Sequence, residues 1–408
     1  MATFAYTIRD ATGTIRQGIS EGESEAAVAR SLQERGYTVM KVQRTKASKP
    51  KSAGMGFGRV KLTDLAIFCR QFSTMIDAGV SLVRCLSVLA EQTQSPKLRR
   101  IIADIEAQVQ GGETLSKAMS KYPNVFSNLF IGLVRAGEVG GALEESLQRL
   151  STFLEKDLEL RRKVKSAMTY PTIVVIVALI IVIGLVTFVL PKFMDLFKDL
   201  GVKEMPFTTL ILMNFSHFLT TKWYIMLGCL IAFFVAFRLF VKTRVGRRIY
   251  DRIKLKAPVF GKLNHKICLS RFSRTLATLL ISGVPILQAM ETVAGTVANE
   301  IIGDAILEAR SRIREGDRIG EPLQKSKMFP PMVVQMISIG EESGALDQML
   351  GKIADFYENE VDAALQSLTA SIEPVMIVFL GGAVGFIVIS MFMPLITVIG
   401  NLSQGGGE

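Results

Sequence analysis

Long apolar runs alternate with amphipathic stretches along this 408-residue chain, and their lengths predict its main elements. Three runs that carry almost no charge occupy residues 167–190, 223–241 and 373–400. About 20 apolar residues in a helix cross a hydrocarbon core that is roughly 30 Å thick. We therefore predict three transmembrane helices at these positions.

The stretches before the first and third runs have apolar residues at heptad-like spacing, which is typical of a helix that packs in a bundle. One stripe comprises Leu143, Leu147, Leu150, Leu154 and Leu158, and the other comprises Leu346, Leu350, Ile353, Tyr357 and Val361. Glycine and proline positions divide each stretch into six helices. We interpret 62–166 and 242–372 as six-helix bundles whose last helices point at the membrane. The stripes are expected to form bundle core, and such a continuous helix would also transmit rotation.

The first 45 residues follow a different pattern, in which apolar positions alternate at Phe4, Tyr6 and Ile8. Strict alternation of this kind is typical of a strand. A turn at Gly13, a returning strand, a short helix over 24–35 and a final strand complete a predicted ββαβ unit in 1–45. The stretch 46–61 is basic and contains Gly, Ser and Pro, so it is predicted to be a flexible linker.

Much of the chain is an internal duplication, in which residues 68–190 correspond to residues 272–393. Gly-Glu-Val-Gly-Gly-Ala-Leu at 137–143 matches Gly-Glu-Glu-Ser-Gly-Ala-Leu at 340–346, an offset of 203 residues. These patterns together predict a mainly α, polytopic membrane protein. It has two duplicated six-helix-bundle cytoplasmic domains, three transmembrane helices and the small N-terminal ββαβ unit.

The orientation of the predicted spans follows from the basic residues beside them, since such clusters mark the cytoplasmic side. Arg161, Arg162, Lys163 and Lys165 precede the first span, and a longer basic cluster follows the second span from Lys242 to Lys256. The N-terminus is therefore predicted to be cytoplasmic, whereas 191–222 and the tail 401–408 are predicted to be periplasmic. The repeat agrees, because two parallel copies require an odd number of crossings between them, and the second span supplies one.

Composition supports soluble domains attached to a few spans, with a mean hydropathy of +0.34 and 21% charged residues. The net charge of +11 is compatible with nucleic-acid binding. However, the basic residues cluster beside the spans and are not interleaved with stacking aromatic residues. We therefore expect no direct contact with nucleic acid.

Motifs that would indicate catalysis are missing from the sequence. It contains no phosphate-binding GxxxxGK[ST] loop, no HExxH and no paired cysteine ligands. We therefore expect no enzyme activity, no cofactor and no metal. A small-solute transporter is an alternative of a different class, but these spans carry no ionisable residue near their centres, where transporters usually bind substrate.

The repeated Gly-Glu element is the main candidate site, comprising Gly137, Glu138 and Gly141 in the first copy and Gly340, Glu341 and Gly344 in the second. Its glycines suit a tight helix–turn–helix. Each glutamate is interpreted in one of three ways: as a cap for the next helix N-terminus, as an acidic contact for a partner or second subunit, or as a metal ligand. Four further residues mark where the chain enters the membrane: Tyr170, Pro171, Glu373 and Pro374.

These motifs resemble the PilC/GspF family, the polytopic inner-membrane platform proteins of type IV pilus and type II secretion machines. The resemblance rests on the Gly-Glu element, on the Phe-x-Arg…Gly-Val pattern at 68–80 and 272–284, and on Tyr170-Pro171. It covers nearly the whole chain. The second copy departs from the pattern, with Glu373 where the first has Tyr170.

The resemblance implies a platform protein in the cell inner (plasma) membrane that is not an enzyme. Its cytoplasmic bundles would contact a hexameric ATPase. Its membrane part would contact lipid, pilin or pseudopilin subunits, and the proteins of the inner-membrane alignment complex. It implies a homo-oligomer, with a dimer favoured. The likeness favours the pilus machine, with type II secretion system protein F or a DNA-uptake pilus platform as the alternatives.

Overall fold

The structure is a computed structural model that describes residues 2–9, 15–22, 25–26, 29, 38–44, 59–199, 205–258 and 260–404. The chain divides into two compact units. One comprises Met1–Val60 with Ser95–Lys97, and the other comprises Lys61–Gln94 with Leu98–Glu408.

The N-terminal unit contains a three-stranded antiparallel sheet with the order β2-β1-β3. Its strands are β1 (Ala2–Arg9), β2 (Ile15–Gly22) and β3 (Thr38–Arg44). Of the helix predicted over 24–35, only Glu25, Ala26 and Ala29 are described, and all three are helical. The strands of the ββαβ prediction are therefore confirmed. Of the predicted linker 46–61, residues 46–58 lie outside the described residues.

The first repeat is a bundle of six helices, as predicted. They are α1 (Leu62–Asp77), α2 (Leu82–Gln92), α3 (Pro96–Gln110), α4 (Leu115–Ser120), α5 (Asn128–Gly140) and α6 (Leu143–Gly184). The heptad-like stripe is core, since Leu147 and Leu150 are fully buried and Leu154 nearly so. The helix α6 continues from the bundle into the predicted span and as far as Gly184, although it contains Pro171.

The second repeat has the same six helices. They are α11 (Phe260–Ile281), α12 (Ile286–Thr296), α13 (Glu300–Arg314), α14 (Gly320–Lys325), α15 (Pro331–Ser343) and α16 (Leu346–Gln404). An additional helix, α10 (Arg244–Lys256), lies between the second span and this bundle. The helix α16 is 59 residues long and contains Pro374 and Pro394.

The turns confirm the duplication at the level of backbone conformation. Six glycines have positive φ among the described residues, and they form three pairs related by the repeat: Gly79 with Gly283, Gly112 with Gly316, and Gly141 with Gly344. Their φ values are +77° and +77°, +91° and +106°, and +68° and +70°. A side chain is strained in this region, and glycine is not.

Three helices of the described chain are long and apolar enough to cross a membrane. They contain the predicted spans and lie in Leu143–Phe197, in Trp223–Lys242, which we call α9, and in Leu346–Ile396. The first continues beyond α6 through a π-helical turn, Leu185–Val189, into α7 (Leu190–Asp199). A further apolar helix, α8 (Phe207–Thr221), follows. The segment 191–222 is thus largely helical.

The two repeats meet along their long helices. Leu160 on α6, Leu263 on α11, and Val361 and Leu365 on α16 form one buried apolar cluster just before the spans. Two ion pairs reinforce this contact: Lys163 Nζ lies 2.7 Å from Asp362, and Arg271 lies 3.1 Å from Asp157. The bundles are therefore joined beside the point at which both long helices enter the membrane.

Candidate functional site

The repeated Gly-Glu element forms a tight turn between the last two helices of each bundle. The helix α5 ends at Gly140, and Gly141 adopts a left-handed conformation with φ +68°. The Ala142 N–H then donates to the Gly137 carbonyl at 2.9 Å, which satisfies one of the free carbonyls at the helix end. Gly344 ends α15 in the same conformation, with φ +70°.

The first glycine of each element is required for close approach of two helices. A methyl group on Gly137 would lie 2.6 Å from Ser146 Oγ and 3.0 Å from Leu143 Cα. A methyl group on Gly340 would lie 2.9 Å from Leu346 Cα. Since these neighbours include backbone atoms of the following helix, the two helices can cross at this distance only where no side chain intervenes.

The two glutamates cap helices, but the helix capped is not the one predicted from the sequence. Glu138 accepts hydrogen bonds from the Leu115 and Ser116 N–H groups at the start of α4, the second at 3.0 Å. Glu341 accepts from the Ile319 N–H, with its two oxygens at 3.1 and 2.9 Å, at the start of α14. The expected cap of the following helix is therefore wrong. The carboxylate reaches back 22–23 residues to an earlier, short helix.

Each element contacts its own bundle. Across the described part of the chain, no hydrogen bond or ion pair joins the element at 137–143 to the element at 340–346. The outer surface of the first turn is exposed, with Val139 at 85%. Glu342 occupies the equivalent position in the second turn and forms an exposed ion pair with Arg318 at 2.6 Å.

A second repeated contact, which the sequence analysis missed, joins the first and last helices of each bundle. Arg70 on α1 donates to Glu155 on α6, with Nε 2.7 Å from Oε1. Arg274 on α11 binds Glu358 on α16 in the same way at 2.9 Å. Both arginines belong to the Phe-x-Arg pattern, and both glutamates follow the repeat offset. The recurrence of both residue types at the repeat offset is the sequence signal that could have predicted this contact.

The electrostatics of this contact differ between the repeats. The Arg70 guanidinium holds the pKa of Glu155 below its usual range by hydrogen bonding to the carboxylate. In the second repeat the arginine also contacts Asp355, and the side chains of Arg274 and Glu358 are only 22% and 23% exposed. The second contact is thus the more sheltered of the two from solvent. Charge–charge interactions are stronger where water is excluded.

Three of the four residues that were predicted to mark entry into the membrane line one cleft. Tyr170 and Pro171 on α6 face Glu373 on α16 across a cavity of about 130 Å³, which we call the entrance cleft. Apolar side chains complete its walls. Pro374 is exposed on α16 and is not part of the lining.

Glu373 also lines an adjacent, more polar groove of about 640 Å³ that includes Lys163, Gln366 and Thr369. Glu373 itself has no hydrogen-bond or ion-pair partner in the described part of the chain. An unpaired carboxylate thus stands where a polar groove meets an apolar cleft.

The described residues offer little for bond-making chemistry. Burial raises the pKa of the Cys69 thiol and raises that of Cys268 to about 11, so neither is a thiolate at neutral pH. Among the residues that the structure describes, no group of three or more His, Cys, Asp or Glu side chains is arranged to hold a metal ion.

Comparison with known proteins gives a family match over both repeats. The model for type II secretion system (T2SS), protein F, matches residues 68–191 and again residues 272–394. The model for the N-terminal domain of type II secretion system protein F matches residues 1–43. The matched ranges coincide with the duplication and with the N-terminal unit.

Individual relatives match along their whole length. Type IV pilus assembly protein PilC of Thermus thermophilus is 44% identical over 408 residues, covering 99% of this chain and 100% of that protein. The protein of the same name from Myxococcus xanthus is 42% identical, covering 98% and 96%. Type II secretion system protein F of Vibrio cholerae is 34% identical, covering 99% and 100%.

Proposed function

The chain belongs to the type II secretion system protein F family, and from this premise we propose that it is the inner-membrane platform protein of a type IV pilus assembly machine. In this role it couples a cytoplasmic hexameric ATPase to the insertion and extraction of pilin subunits. The observation that carries the choice of machine is the higher identity to the PilC relatives than to the secretion relative, at equal coverage. Type II secretion remains the competing function.

The coupling rests on the two long helices. The helix α16 runs from the second bundle into its span without interruption, and α6 does the same in the first. Because Arg70–Glu155 and Arg274–Glu358 tie each long helix to the first helix of its bundle, a push on a bundle moves the span with it. The force comes from the ATPase, since the chain itself has no phosphate-binding loop.

The orientation that we propose places the N-terminus and both bundles in the cytoplasm and the C-terminus in the periplasm. The support is the basic cluster before the first span and the longer one after the second. The membrane part then contacts the pilin subunits and the inner-membrane alignment complex. The entrance cleft, with its unpaired Glu373, is our candidate for the pilin contact. The platform works as a homo-oligomer, with a dimer favoured.

The Gly-Glu turns are our candidate contact for the ATPase or for a second subunit. Charge reversal at Glu138 cannot separate docking from folding, because both of its oxygens cap α4. The exposed Val139 is a better probe, since it lies on the same turn and takes no part in the cap. Val139→Asp should reduce capture of the purified ATPase and leave the melting temperature unchanged. Unchanged capture would exclude this surface, and a lowered melting temperature would assign the position to folding.

The function is tested by deleting the gene for this chain without disturbing its neighbours. Electron microscopy then scores surface fibres, and a parallel assay scores secreted proteins. Loss of fibres with normal secretion supports the pilus platform. Intact fibres with exoproteins retained in the periplasm would assign the chain to type II secretion.

A further inference from the structure

The helix α10 is held tightly against the end of the second span. Thr243 is the only residue between α9 and α10. Its hydroxyl donates to the Phe240 carbonyl at 2.7 Å and accepts from the Gly246 N–H at 3.0 Å. A methyl group on Gly246 would lie 1.9 Å from the Phe240 carbonyl oxygen, so only glycine permits this turn.

Further contacts fix α10 on both sides. The Tyr250 ring packs edge-on against Phe237 of the span, with ring centroids 5.7 Å apart. On its buried side, Asp251 accepts from the Glu300 N–H at 3.0 Å and so caps α13 of the second bundle. These contacts hold α10 at the level where the span ends.

The opposite side of α10 carries an apolar stripe that no described part of the chain covers. Val245, Ile249 and Ile253 are 69%, 45% and 60% exposed, and they are spaced four residues apart. Residues with this spacing lie on one face of a helix. An exposed apolar stripe on a strongly basic helix is typical of helices that lie in a membrane interface.

Three arginines border this stripe, and two of them have no carboxylate partner among the described residues. Arg244, Arg248 and Arg252 line an apolar concavity of about 320 Å³ together with Val245 and Ile249. Arg248 binds Asp304. Across the described part of the chain, Arg244 and Arg252 have no ion-pair partner.

Arg252 also lines a second cavity, of about 410 Å³, at the far end of α10. Three lysines border this cavity, Lys256, Lys262 and Lys327, and no carboxylate does. The side chains of Leu255, Ile301 and Met328 form the apolar part of its wall. The basic surface therefore continues from the end of the span along the helix, with apolar surface beneath it.

We propose that α10 is an interfacial helix that binds anionic phospholipids at the end of the second span. Val245, Ile249 and Ile253 insert at the boundary between headgroups and acyl chains. Arg244 and Arg252 bind lipid phosphates, and the cavity at Lys256, Lys262 and Lys327 accepts a further headgroup. Lipid is favoured over a protein partner because the stripe is continuous with a membrane span. The inference does not depend on which assembly machine the chain serves.

The test uses the full chain in lipid nanodiscs, with an environment-sensitive fluorophore on Ile249→Cys. Cys229, which is exposed, is replaced by Ala, and the other cysteines are buried. Leu307→Cys is the matched control, because Leu307 on the bundle is 43% exposed and Ile249 is 45% exposed. In nanodiscs that contain phosphatidylglycerol, the label at 249 should be quenched by spin-labelled lipid and protected from aqueous iodide. The label at 307 should show the reverse.

The arginine contribution is tested by binding of a fluorescent phosphatidylglycerol to the protein in detergent. Neutralisation of both free arginines, Arg244→Gln with Arg252→Gln, should weaken binding by about fivefold for each arginine. Arg84→Gln with Lys352→Gln is the control, since both are exposed bundle residues that form no ion pair with any described residue. Iodide access at 249 equal to that at 307, or lipid binding unchanged by the arginine substitutions, would overturn the proposal. Protection of 249 in detergent that rises with protein concentration would instead assign the stripe to a second copy.

Discussion

At the scale of single residues, the repeated element combines three separate requirements in seven positions. The first glycine permits close helix approach, the glutamate caps an earlier short helix, and the left-handed glycine ends its own helix. Each requirement recurs in the second copy. The element is therefore under structural constraint in both bundles, and the positions left free for partners are those at its outer surface.

The close approach at Gly137 and Gly340 can be tested directly. Gly137→Ala and Gly340→Ala should each destabilise the protein by about 1–3 kcal/mol, the usual range for overpacking, because the added methyl meets backbone of the next helix. Circular dichroism during thermal unfolding in detergent measures the effect. Gly140→Ala is the control, since its methyl would meet nothing within 4 Å. An equal loss for the control would show that helix packing is not the cause.

The Arg70–Glu155 contact predicts a pH dependence of stability. The folded-state pKa of Glu155 is depressed, so its contribution is present above the unfolded pKa, about 4.3, and is lost as the pH falls through the lower folded value. Glu155→Gln should therefore lower the melting temperature at pH 7. Since the carboxylate is 44% exposed, the loss should be on the order of 0.2–1 kcal/mol.

The difference between this variant and the original chain should shrink as the pH falls below about 4.3, and it should vanish once the pH is below the depressed folded-state pKa of Glu155. Glu91 is exposed and forms no ion pair within the described part of the chain, so Glu91→Gln should change stability neither at pH 7 nor in acid. A deficit at Glu155 that persists in acid would mean that packing, rather than charge, is responsible.

At the scale of elements, α8 is joined to the long helices by hydroxyl groups. Ser216 donates to the Val186 carbonyl at 2.7 Å, inside the π-helical turn that interrupts the first long helix. Thr209 donates to the Ser390 carbonyl of α16 at 2.6 Å. Both bonds are buried. A π turn leaves carbonyls without their usual partner, and the Ser216 hydroxyl satisfies one of them.

We expect loss of either hydroxyl to loosen this helix. Ser216→Ala and Thr209→Val should each reduce stability by about 0.6 kcal/mol, the average for such bonds in membrane proteins. The melting temperature in nanodiscs measures the change. Thr220→Val is a suitable control, because the Thr220 hydroxyl bonds only within α8. No difference between these variants and the control would mean that apolar contacts alone hold α8.

At the scale of the whole molecule, the proposed orientation makes a prediction about both ends of the chain. A reporter that is active only outside the cytoplasm should be active when fused after Glu408 and inactive when inserted in the linker 46–58. Three crossings place the two sites on opposite sides of the membrane. An inactive C-terminal fusion, or activity of both fusions, would contradict the three-span orientation.

Local sequence pattern was sufficient to predict the spans, the repeats and their turns. Uncharged runs of membrane length gave the three spans, because a spanning helix must satisfy its backbone within itself and present apolar side chains to lipid. The repeat offset gave the two bundles of six helices, and glycines such as Gly141 and Gly344 marked their turns because few other residues adopt that conformation.

Contacts between residues far apart in the chain could not be predicted in this way, because they depend on how the helices pack. The spacing of Glu138 suggests the helix that follows it, yet the carboxylate binds α4, since turn geometry rather than sequence distance sets its direction. The pairing of Arg70 with Glu155, the joining of the repeats at Leu160 and Val361, and the cover of α8 over the π turn depend in the same way on helix packing. Local pattern fixes which face of a helix is apolar, and packing in three dimensions selects which helix covers it.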